Sequence, residues 1–395
     1  MNTNSLVIVG GGIAGLACAV ATVKGGSKAL VLEQAPAFGE VGAGIQLGPN
    51  AARRLQSWGV LNAKTLHASE PEALQIHSAV DGSQLGRLRL RGRAKAHYGA
   101  PYLTVHRADL HTALLQATQE LSGVQVVAGT AVRNCETNGH VSWSDVGGEH
   151  VQRFDAVVNA QGIWSQIRVD SLGGQAPQWT GHVAYRALVP MSALPVAQRR
   201  LEVGVWLGPN MHVVHYPVRD SELFNIVLLV EAPRREPTQD WSQTCDRSEV
   251  DQWIARMHPS LRSLFDAVTE AGADWRLWAL AGRSPVADPE SLYNDRLVHV
   301  GDAAHPMLPY LAQGAAMGIE DADVLATMLA RYPHNVQFAL REYARTRWER
   351  VRRVQARAKR NGNIFHASGL MAMARNWTIA LGKEQAIDLP WLYNY

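Results

Sequence analysis

Cysteine and net charge are both scarce in this chain of 395 residues. Its three cysteines, Cys18, Cys135 and Cys245, lie far apart, which argues against a disulfide framework and against a metal cluster. The formal net charge of +3 is too small to indicate nucleic-acid binding, although it suits an anionic ligand. No apolar run approaches membrane-spanning length, and no signal peptide is evident at the N-terminus. We therefore expect a cytoplasmic protein with no metal, nucleic-acid or membrane partner.

The N-terminal segment has the pattern of a strand, a helix and a second strand. The short apolar run 5–9 ends at a glycine, as a buried parallel strand does. Residues 13–24 predict a helix, and residues 29–32 predict the next strand. The sequence GGGIAG at 10–15 joins the first strand to the helix, which is the context in which this motif binds a dinucleotide.

The small residues of this motif suit a phosphate-binding turn. Gly10 permits the tight turn, Gly12 lets a phosphate approach the backbone, and Gly15 lets helix and strand pack closely. Ala14 lies in the first helical turn, whose N–H groups attract an anion. Glu33 ends the second strand, where its carboxylate can accept hydrogen bonds from a ribose. These features predict a bound adenine dinucleotide, either FAD or NAD.

A second segment of this kind lies far downstream. Asp302 follows the predicted strand 296–300, and an acid at that turn can accept hydrogen bonds from ribose or ribityl hydroxyls. Gly314, Ala315 and Ala316 begin a predicted helix, whose N–H groups could face the electron-rich edge of a flavin ring. A long two-headed cofactor needs such a second site at its other end. The two segments together therefore predict FAD rather than NAD.

The rest of the chain predicts an α/β fold with an inserted region. Strand patterns between 183 and 230 indicate an antiparallel sheet, and helical patterns follow near 248–257 and 260–271. We interpret this region as a substrate-covering domain inserted into a Rossmann-like FAD-binding domain, with helices at the C-terminus. The predicted FAD-binding domain comprises residues 1–75, 100–177 and 281–345, the substrate-covering sheet domain 76–99 and 178–280, and the C-terminal helical segment 346–395.

Three motifs, in this order, carry a resemblance to a known family. They are GGGIAG with Glu33, the segment HRADL at 106–110, and GDAAHPMLPYLAQGAAMGIEDA at 301–322. Together they resemble the single-component FAD-dependent aromatic hydroxylases, which are group A flavoprotein monooxygenases. The likeness extends from residue 5 to about residue 345. Within this family the chain most resembles enzymes of the salicylate hydroxylase and 3-hydroxybenzoate 6-hydroxylase type, and the resemblance implies the para-hydroxybenzoate hydroxylase fold.

The resemblance implies a defined reaction. NADH or NADPH reduces FAD, oxygen forms a hydroperoxide at flavin carbon 4a, and its distal oxygen hydroxylates a small hydroxylated aromatic acid of the salicylate or hydroxybenzoate type. Two alternatives stay open. One is a hydroxypyridine carboxylate substrate such as 6-hydroxynicotinate, and the other is a flavoprotein oxidase or dehydrogenase on the same fold. The protein is expected as a monomer or a homodimer.

The resemblance also implies cofactor roles for individual residues. It places Arg107 beside the ribityl and phosphate groups, Asp302 at the ribityl chain, and Pro306 with residues 313–316 at the flavin ring. The family usually has an Asp-Gly pair where this chain has Gln161-Gly162, and that aspartate is linked to FAD and NAD(P)H binding. Because glutamine keeps the hydrogen bonds but loses the charge, the mode of nicotinamide binding stays open.

A strand in the inserted region supplies candidates for substrate activation. A phenolate is far more nucleophilic than a phenol, so a hydroxylase needs a proton acceptor near the substrate hydroxyl. Within residues 211–217, His212 and Tyr216 share one face because residues two apart do, whereas His215 faces the other way. The resemblance also places a substrate-side histidine in this strand. We predict His212 as the base and Tyr216 as the hydrogen-bond partner that orients the substrate.

The ordinary pKa of histidine limits this role. A phenol with a pKa of ~10 and a histidine with a pKa of ~6.5 are mismatched by roughly 3.5 units, or about 5 kcal/mol. His212 alone therefore cannot hold a full phenolate, and added positive potential or partial proton transfer must help. Arg186 is expected either to hold a substrate carboxylate or to pair with an acid inside the sheet.

Arginine is frequent in the last long predicted helix. Residues 341–360 interleave arginines with Glu342, Glu349, Val351 and Val354, which is the pattern of an amphipathic helix. A solvated helix face or a dimer contact fits this pattern better than nucleic-acid binding does.

Overall fold

The computed structural model describes residues 3–39, 43–173, 175–233, 235 and 243–395. The strands in those ranges are β1 (Ser5–Val9), β2 (Lys28–Leu32), β3 (Gly44–Leu47), β4 (Ala73–Ser78), β5 (Gln84–Arg89), β6 (Leu103–His106), β7 (Val124–Val127), β8 (Ala131–Cys135), β9 (His140–Asp145), β10 (Gly148–Arg153), β11 (Ala156–Asn159), β12 (Gln178–Pro190), β13 (Val203–Gly208), β14 (Met211–Val218), β15 (Leu223–Glu231), β16 (Arg276–Gly282), β17 (Tyr293–Asn294) and β18 (Leu297–His299). The helices are α1 (Ile13–Lys24), α2 (Pro49–Ser57), α3 (Arg93–Tyr98), α4 (Arg107–Gln119), α5 (Gln166–Leu172), α6 (Arg247–Ile254), α7 (Pro259–Glu270), α8 (Gly314–Arg331), α9 (Val336–Phe365), α10 (Gly369–Ile387) and α11 (Pro390–Tyr393). The predicted strand–helix–strand unit is confirmed by β1, α1 and β2.

The first large sheet carries the N-terminal glycine motif. Its strand order is β17-β18-β11-β1-β2-β7, and neighbouring strands run parallel except β17 and β18. β1 is almost fully buried, because a parallel sheet is covered on both faces. Parallel neighbours end at the same edge, so the residues after β1, β11 and β18 meet there. Those residues include Gly10, Gln161 and Gly301.

The second large sheet forms the inserted region. Its order is β16-β12-β15-β14-β13-β4-β5, and it is antiparallel apart from the β13–β4 pair. On one face, Val213 of β14 belongs to the same buried cluster as Leu261 and Phe265 of α7. Because side chains alternate across a strand, His212 and Tyr216 occupy the opposite face.

The packing of α9 corrects the interpretation that its arginines form a solvated face. α9 packs against α8, and α10 packs against β5. Arg347 and Arg350 of α9 are buried, and they form ion pairs with Glu320 and Asp321 of α8. The expected solvated face therefore applies only to other arginines of α9. Glu320 and Asp321 lie opposite Arg347 and Arg350 and supply the opposite charges that buried arginines need. None of the described helices has both the length and the apolar character needed to cross a membrane.

Candidate functional site

One cavity of about 570 Å³ is bounded by residues of both large sheets. Two of the residues predicted to bind cofactor, Gly15 and Ala316, do not line it and are buried. The predicted residues that do line it are Gly10, Gly12, Ala14, Glu33, Arg107, Asp302, Pro306, Gly314 and Ala315 on the cofactor side, and His212 and Tyr216 on the substrate side. Residues predicted from separate motifs thus share one cavity.

The turn between β1 and α1 brings backbone to the cavity wall. Gly10 has a φ of +108°, which residues with a side chain rarely adopt. A Cβ on Gly15 would lie 1.9 Å from the carbonyl oxygen of Gly10, so only glycine lets α1 pack this closely on the turn. Among the described residues, a Cβ on Gly12 would meet nothing within 4 Å, and no side chain of theirs caps α1 there. The first N–H groups of α1 therefore suit a phosphate, as a dinucleotide requires.

Glu33 lies at the same end of the cavity. Its Oε2 accepts a hydrogen bond from the backbone N–H of Gly11 at 2.7 Å, and its Oε1 accepts one from Ala35 at 2.8 Å. These bonds hold the carboxylate in place, and each oxygen keeps a lone pair. A ribose hydroxyl can therefore donate to Glu33, as the sequence predicts.

The second glycine segment packs directly on the first. Cβ atoms on Gly301 and Gly318 would lie 2.8 and 2.9 Å from the Ala14 Cβ, so the absence of two side chains lets α8 and the loop after β18 approach α1. Asp302 is exposed where it borders the cavity. Desolvation by the surrounding protein raises the pKa of Asp302, although His305 and Arg107 act in the opposite direction.

Asp321 supports this loop from behind. Its Oδ2 accepts a hydrogen bond from the backbone N–H of Gly301 at 2.8 Å and lies 2.6 Å from His305 Nε2, while its Oδ1 accepts one from Arg347 Nε at 2.8 Å. Burial alone would raise the pKa of Asp321, but His305 and Arg347 lower it to about 2. His305 is itself buried and holds Asp321 instead of lining the cavity. The sequence did not predict this network.

His212 lies at the cavity wall on β14. Its side chain is buried, and its Nδ1 lies 2.9 Å from His366 Nε2. Burial, with smaller contributions from His366 and His182, lowers the pKa of His212 well below its ordinary value. The imidazole is therefore neutral at neutral pH, and Nε2 is the ring nitrogen left to meet a ligand. His366 was not among the residues predicted from the sequence.

Tyr216 lies on the same face of β14. Its hydroxyl donates a hydrogen bond to the backbone carbonyl of Gly44 at 2.7 Å. Burial raises the pKa of Tyr216, although Arg186 and Gln46 act in the opposite direction. Because its proton is already donated to Gly44, the Tyr216 oxygen can only accept a further hydrogen bond. It therefore suits a ligand group that donates.

Arg186 of β12 brings a positive charge to the cavity wall. Its guanidinium carbon lies 4.5 Å from the ring centre of Trp278, and its buried Nε has no hydrogen-bond partner among the described residues. Burial lowers the pKa of Arg186, Tyr216 raises it and Arg107 lowers it, with no carboxylate among these influences. The geometry thus favours the first of the two expectations, in which a ligand carboxylate supplies the counter-charge.

Gln161 occupies the position where the resemblance leads one to expect aspartate. It lines the cavity, and its Oε1 accepts a hydrogen bond from Ser165 Oγ at 3.1 Å. The side-chain NH₂ is then the part available to a ligand, so this position offers donors where a carboxylate would offer only acceptors.

Comparison with known proteins gives concordant matches. The family described as FAD binding domain matches residues 3–358. A 3-hydroxybenzoate 6-hydroxylase of Polaromonas naphthalenivorans (strain CJ2) is 35% identical over 394 residues, which is 99% of this chain and 96% of that protein. A 6-hydroxynicotinate 3-monooxygenase of Pseudomonas fluorescens is 32% identical over 355 residues, which is 89% of each. The solved structure of a salicylate hydroxylase substrate complex has a TM-score of 0.82 at 25% identity, and covers 100% of this chain and 96% of its own.

The chain belongs to this family of FAD-binding proteins. The match includes both glycine segments and the inserted sheet, so the predicted family resemblance, α/β fold and FAD cofactor are confirmed. The glycine turn, the uncapped helix and the Glu33 carboxylate fit an adenine dinucleotide. The domain bounds and the roles of individual residues stay predictions.

Proposed function

We propose that this FAD-binding protein is an NAD(P)H-dependent monooxygenase that hydroxylates a small hydroxylated aromatic acid. The observation that carries the proposal is the single cavity that joins both glycine segments to His212 and Arg186. A dinucleotide site alone serves many kinds of enzyme. A histidine base and a half-buried cation at the wall of the same cavity serve a ring that carries both a hydroxyl and a carboxylate, as 3-hydroxybenzoate does.

The cofactor is proposed to lie along the glycine side of the cavity. Bound FAD supplies electron transfer from NAD(P)H and the activation of molecular oxygen. The residues proposed to hold it are Gly10, Gly12, Ala14, Gly15, Glu33, Arg107, Asp302, Pro306, Gly314, Ala315 and Ala316. Of these, Gly15 and Ala316 would act by positioning α1 and α8, because neither lines the cavity.

His212 is proposed to accept the proton of the substrate hydroxyl. Its neutral imidazole can accept at Nε2, since Nδ1 already lies within hydrogen-bond distance of His366. Ionisation of the hydroxyl makes the ring a stronger nucleophile toward activated oxygen. Tyr216 would orient the substrate only through a second donor group, because its own proton is donated to Gly44 and the substrate hydroxyl donates to His212.

Arg186 is proposed to bind the substrate carboxylate. A half-buried guanidinium that has no carboxylate partner among the described residues gains a charge-assisted, potentially bidentate pair when such a ligand enters. The same charge lies near Tyr216, and therefore on the side of the cavity where the hydroxyl would ionise. It would supply part of the positive potential that a histidine base alone lacks.

A hydroxypyridine carboxylate is the second candidate substrate. The relative named 6-hydroxynicotinate 3-monooxygenase supports it, and such a ring also carries a carboxylate and an ionisable hydroxyl. The same base and the same cation would serve both ring types.

Oxidation of NADH and NADPH by the purified protein tests the proposal. The panel is salicylate, 3-hydroxybenzoate, 6-hydroxynicotinate, and phenol as the analogue without a carboxylate. We expect one carboxylated ring to stimulate oxidation and to yield a hydroxylated product for each oxygen consumed. Stimulated oxygen use that ends only in hydrogen peroxide with every ring would contradict the proposal and favour an oxidase on the same fold.

A further inference from the structure

The histidine proposed as the base is the inner end of a chain of polar side chains. We propose that this chain, from His212 through His366 to Glu231, carries the proton of the substrate hydroxyl from the cavity to solvent. The proposal rests on the function proposed above, because it needs a substrate with an ionisable hydroxyl. It assigns a task to His366 and Glu231, which do not line the cavity.

The three side chains connect the cavity to the protein surface. His212 Nδ1 lies 2.9 Å from His366 Nε2, and His366 Nδ1 lies 3.2 Å from Glu231 Oε1. Both distances are within hydrogen-bond range. His212 and His366 are 2% and 3% exposed, whereas the Glu231 side chain is 48% exposed. The chain thus has a buried inner end and a solvated outer end.

Three elements distant in sequence produce this alignment. β14 pairs with β15, so His212 lies close to the end of β15, where Glu231 stands. His366 is the residue that follows α9. The backbone N–H of Asn210 donates a hydrogen bond to the carbonyl of His366 at 3.0 Å. This bond fixes the end of α9 against the turn between β13 and β14, and so fixes the His366 ring between its two partners.

The groups around His366 favour its neutral form. Burial is the largest cause, and with His182 and Arg375 it lowers the pKa of His366 to about 3. The ring of Tyr310 lies 5.6 Å from that of His366, and burial keeps Tyr310 a neutral phenol by raising its pKa. The Glu231 carboxylate lies within hydrogen-bond distance of His366 Nδ1. A neutral imidazole has one N–H and one lone pair, as a group that passes on a proton needs.

The transfer moves one proton and creates no lasting charge on either ring. The substrate O–H gives its proton to His212 Nε2, while the proton on His212 Nδ1 passes to His366 Nε2. The proton on His366 Nδ1 passes to the Glu231 carboxylate, which releases it to water. Each imidazole ends as its other neutral tautomer. Return of a proton along the same path to the product oxygen restores both tautomers.

Export of the proton removes the buried imidazolium from the energy balance of a histidine base, but ionisation of a phenol with a pKa of ~10 into water at about pH 7 still costs roughly 3 pKa units, which the positive charge of Arg186 must offset. An imidazolium beside a phenolate is disfavoured by roughly 3.5 pKa units even in water, and burial disfavours the cation further. In the relay the proton does not stay on His212. The anion left in the cavity faces Arg186, so the charges that remain are of opposite sign.

Replacement of His366 tests the relay. Gln at 366 keeps hydrogen-bonding atoms but cannot take up a proton on one side and release one on the other. We expect His366→Gln to lower kcat for hydroxylation about 10- to 100-fold, while FAD content and the KM for the aromatic acid stay within about twofold. In His366→Ala, added imidazole should restore much of the lost rate. A purely structural role would not produce that rescue.

Glu231 offers a second test at a half-exposed position, where substitution is tolerated more easily. Glu231→Gln should lower kcat in dilute buffer and recover as the concentration of a small carboxylate buffer rises, whereas Glu231→Asp should keep most of the rate. His215→Gln is the matched control. His215 lies on the same strand as His212 but faces away from the chain of side chains, where its Nε2 accepts a hydrogen bond from Trp206, so its kcat should stay within about twofold of wild type.

The outcomes separate this inference from the proposed function. Wild-type kcat in both His366→Gln and Glu231→Gln, in a protein that hydroxylates its substrate, would overturn the relay alone. A wild-type protein that hydroxylates no hydroxylated aromatic acid would overturn the proposed function and the relay with it. If His366→Gln loses FAD, the kcat of Glu231→Gln tests the relay alone: a lowered kcat supports it, and a wild-type kcat overturns it.

Discussion

The cofactor end and the substrate end of the cavity are built in different ways. At the cofactor end, the contacts depend on side chains that are absent, at Gly10, Gly12 and Gly15. At the substrate end, they depend on titratable side chains held in a desolvated wall, among them His212 and Arg186. An added methyl group should therefore do most harm at the first end, and a lost proton site or charge should do most harm at the second.

Loss of the base should have the largest effect. We expect His212→Ala to lower the rate of hydroxylation about 10²- to 10⁴-fold, the range for a general base, while FAD stays bound. Rapid-mixing product analysis at saturating NAD(P)H, together with the flavin absorbance of the purified variant, measures both quantities. Unchanged turnover, or loss of FAD, would contradict the role of His212.

His215 provides the matched control for that experiment. It is a half-buried histidine on the same strand, but it faces the other way and accepts a hydrogen bond from Trp206 Nε1 at 2.9 Å. His215→Ala leaves that N–H unpaired, so it should lower the free energy of unfolding by about 1–3 kcal/mol while the FAD-bound protein keeps its turnover. Equal losses of turnover in the two variants would mean that strand integrity matters and the base does not.

A methyl group at the cofactor end should have the next largest effect. In Gly15→Ala the new Cβ meets the Gly10 carbonyl oxygen at 1.9 Å, so we expect a loss of roughly 3 kcal/mol in the free energy of unfolding and poor retention of FAD. Gly12→Ala is the comparison, because its Cβ meets no atom of the described part of the chain within 4 Å. That variant should keep its stability without FAD and bind FAD more weakly. Chemical denaturation of the two FAD-free variants measures this difference. Equal stability of the two would contradict the packing role of Gly15.

Replacement of Arg186, which removes a positive charge from the cavity wall, should have a smaller effect that depends on the substrate. We expect Arg186→Gln to raise the KM for the carboxylated substrate about 10- to 100-fold, as the loss of hydrogen bonds to a charged group predicts. Phenol has no carboxylate, so its KM should change little, whereas its kcat should fall because the Arg186 charge also stabilises the ionised hydroxyl. A KM that rises equally for both rings would assign Arg186 to the fold or to the cofactor.

The cofactor end could be predicted from sequence because its requirements are local. The turn at Gly10, the close packing at Gly15 and the position of Glu33 all follow from a short strand–helix–strand unit. The requirements of the second glycine segment, around Asp302, are equally local. The pairing of His212 with Tyr216 on one face was also predictable, since strand alternation alone places them there.

The support of both ends could not be predicted because it is not local. His366 meets His212 only when α9 ends against the second sheet, and no spacing in the sequence announces that contact. Arg347 and Asp321 lie on consecutive helices, where charged residues on otherwise apolar faces were the available signal. That signal alone did not say that the arginine points inward, because the same helix carries exposed arginines as well.

Acidification should produce the smallest effect, and at the substrate end it acts on His366. His366 is held neutral, with a pKa of about 3, whereas an unfolded histidine titrates near about 6.5. Between these values the unfolded chain binds more protons, so stability falls as pH falls. The contribution of His366 is complete above about pH 6.5 and should shrink by about 1.4 kcal/mol at one pH unit below it. Asp321, with a pKa of about 2, is ionised in both states there and should lose its contribution only below about pH 4.

Urea unfolding of wild type and His366→Gln at about pH 7.5 and about pH 5.5 isolates the histidine, because glutamine does not titrate. The difference in unfolding free energy between the two proteins should change by about 1.4 kcal/mol between these conditions, to the disadvantage of wild type. Hydrogen exchange should show protection falling in β14 and at the end of α9, and also around buried His299 beside β11, whose pKa is likewise about 3. A difference that does not change with pH would mean that His366 is charged or solvated in the folded protein. The substrate end would then lack the expected response of His366 to acid, and its contrast with the cofactor end would rest on packing alone.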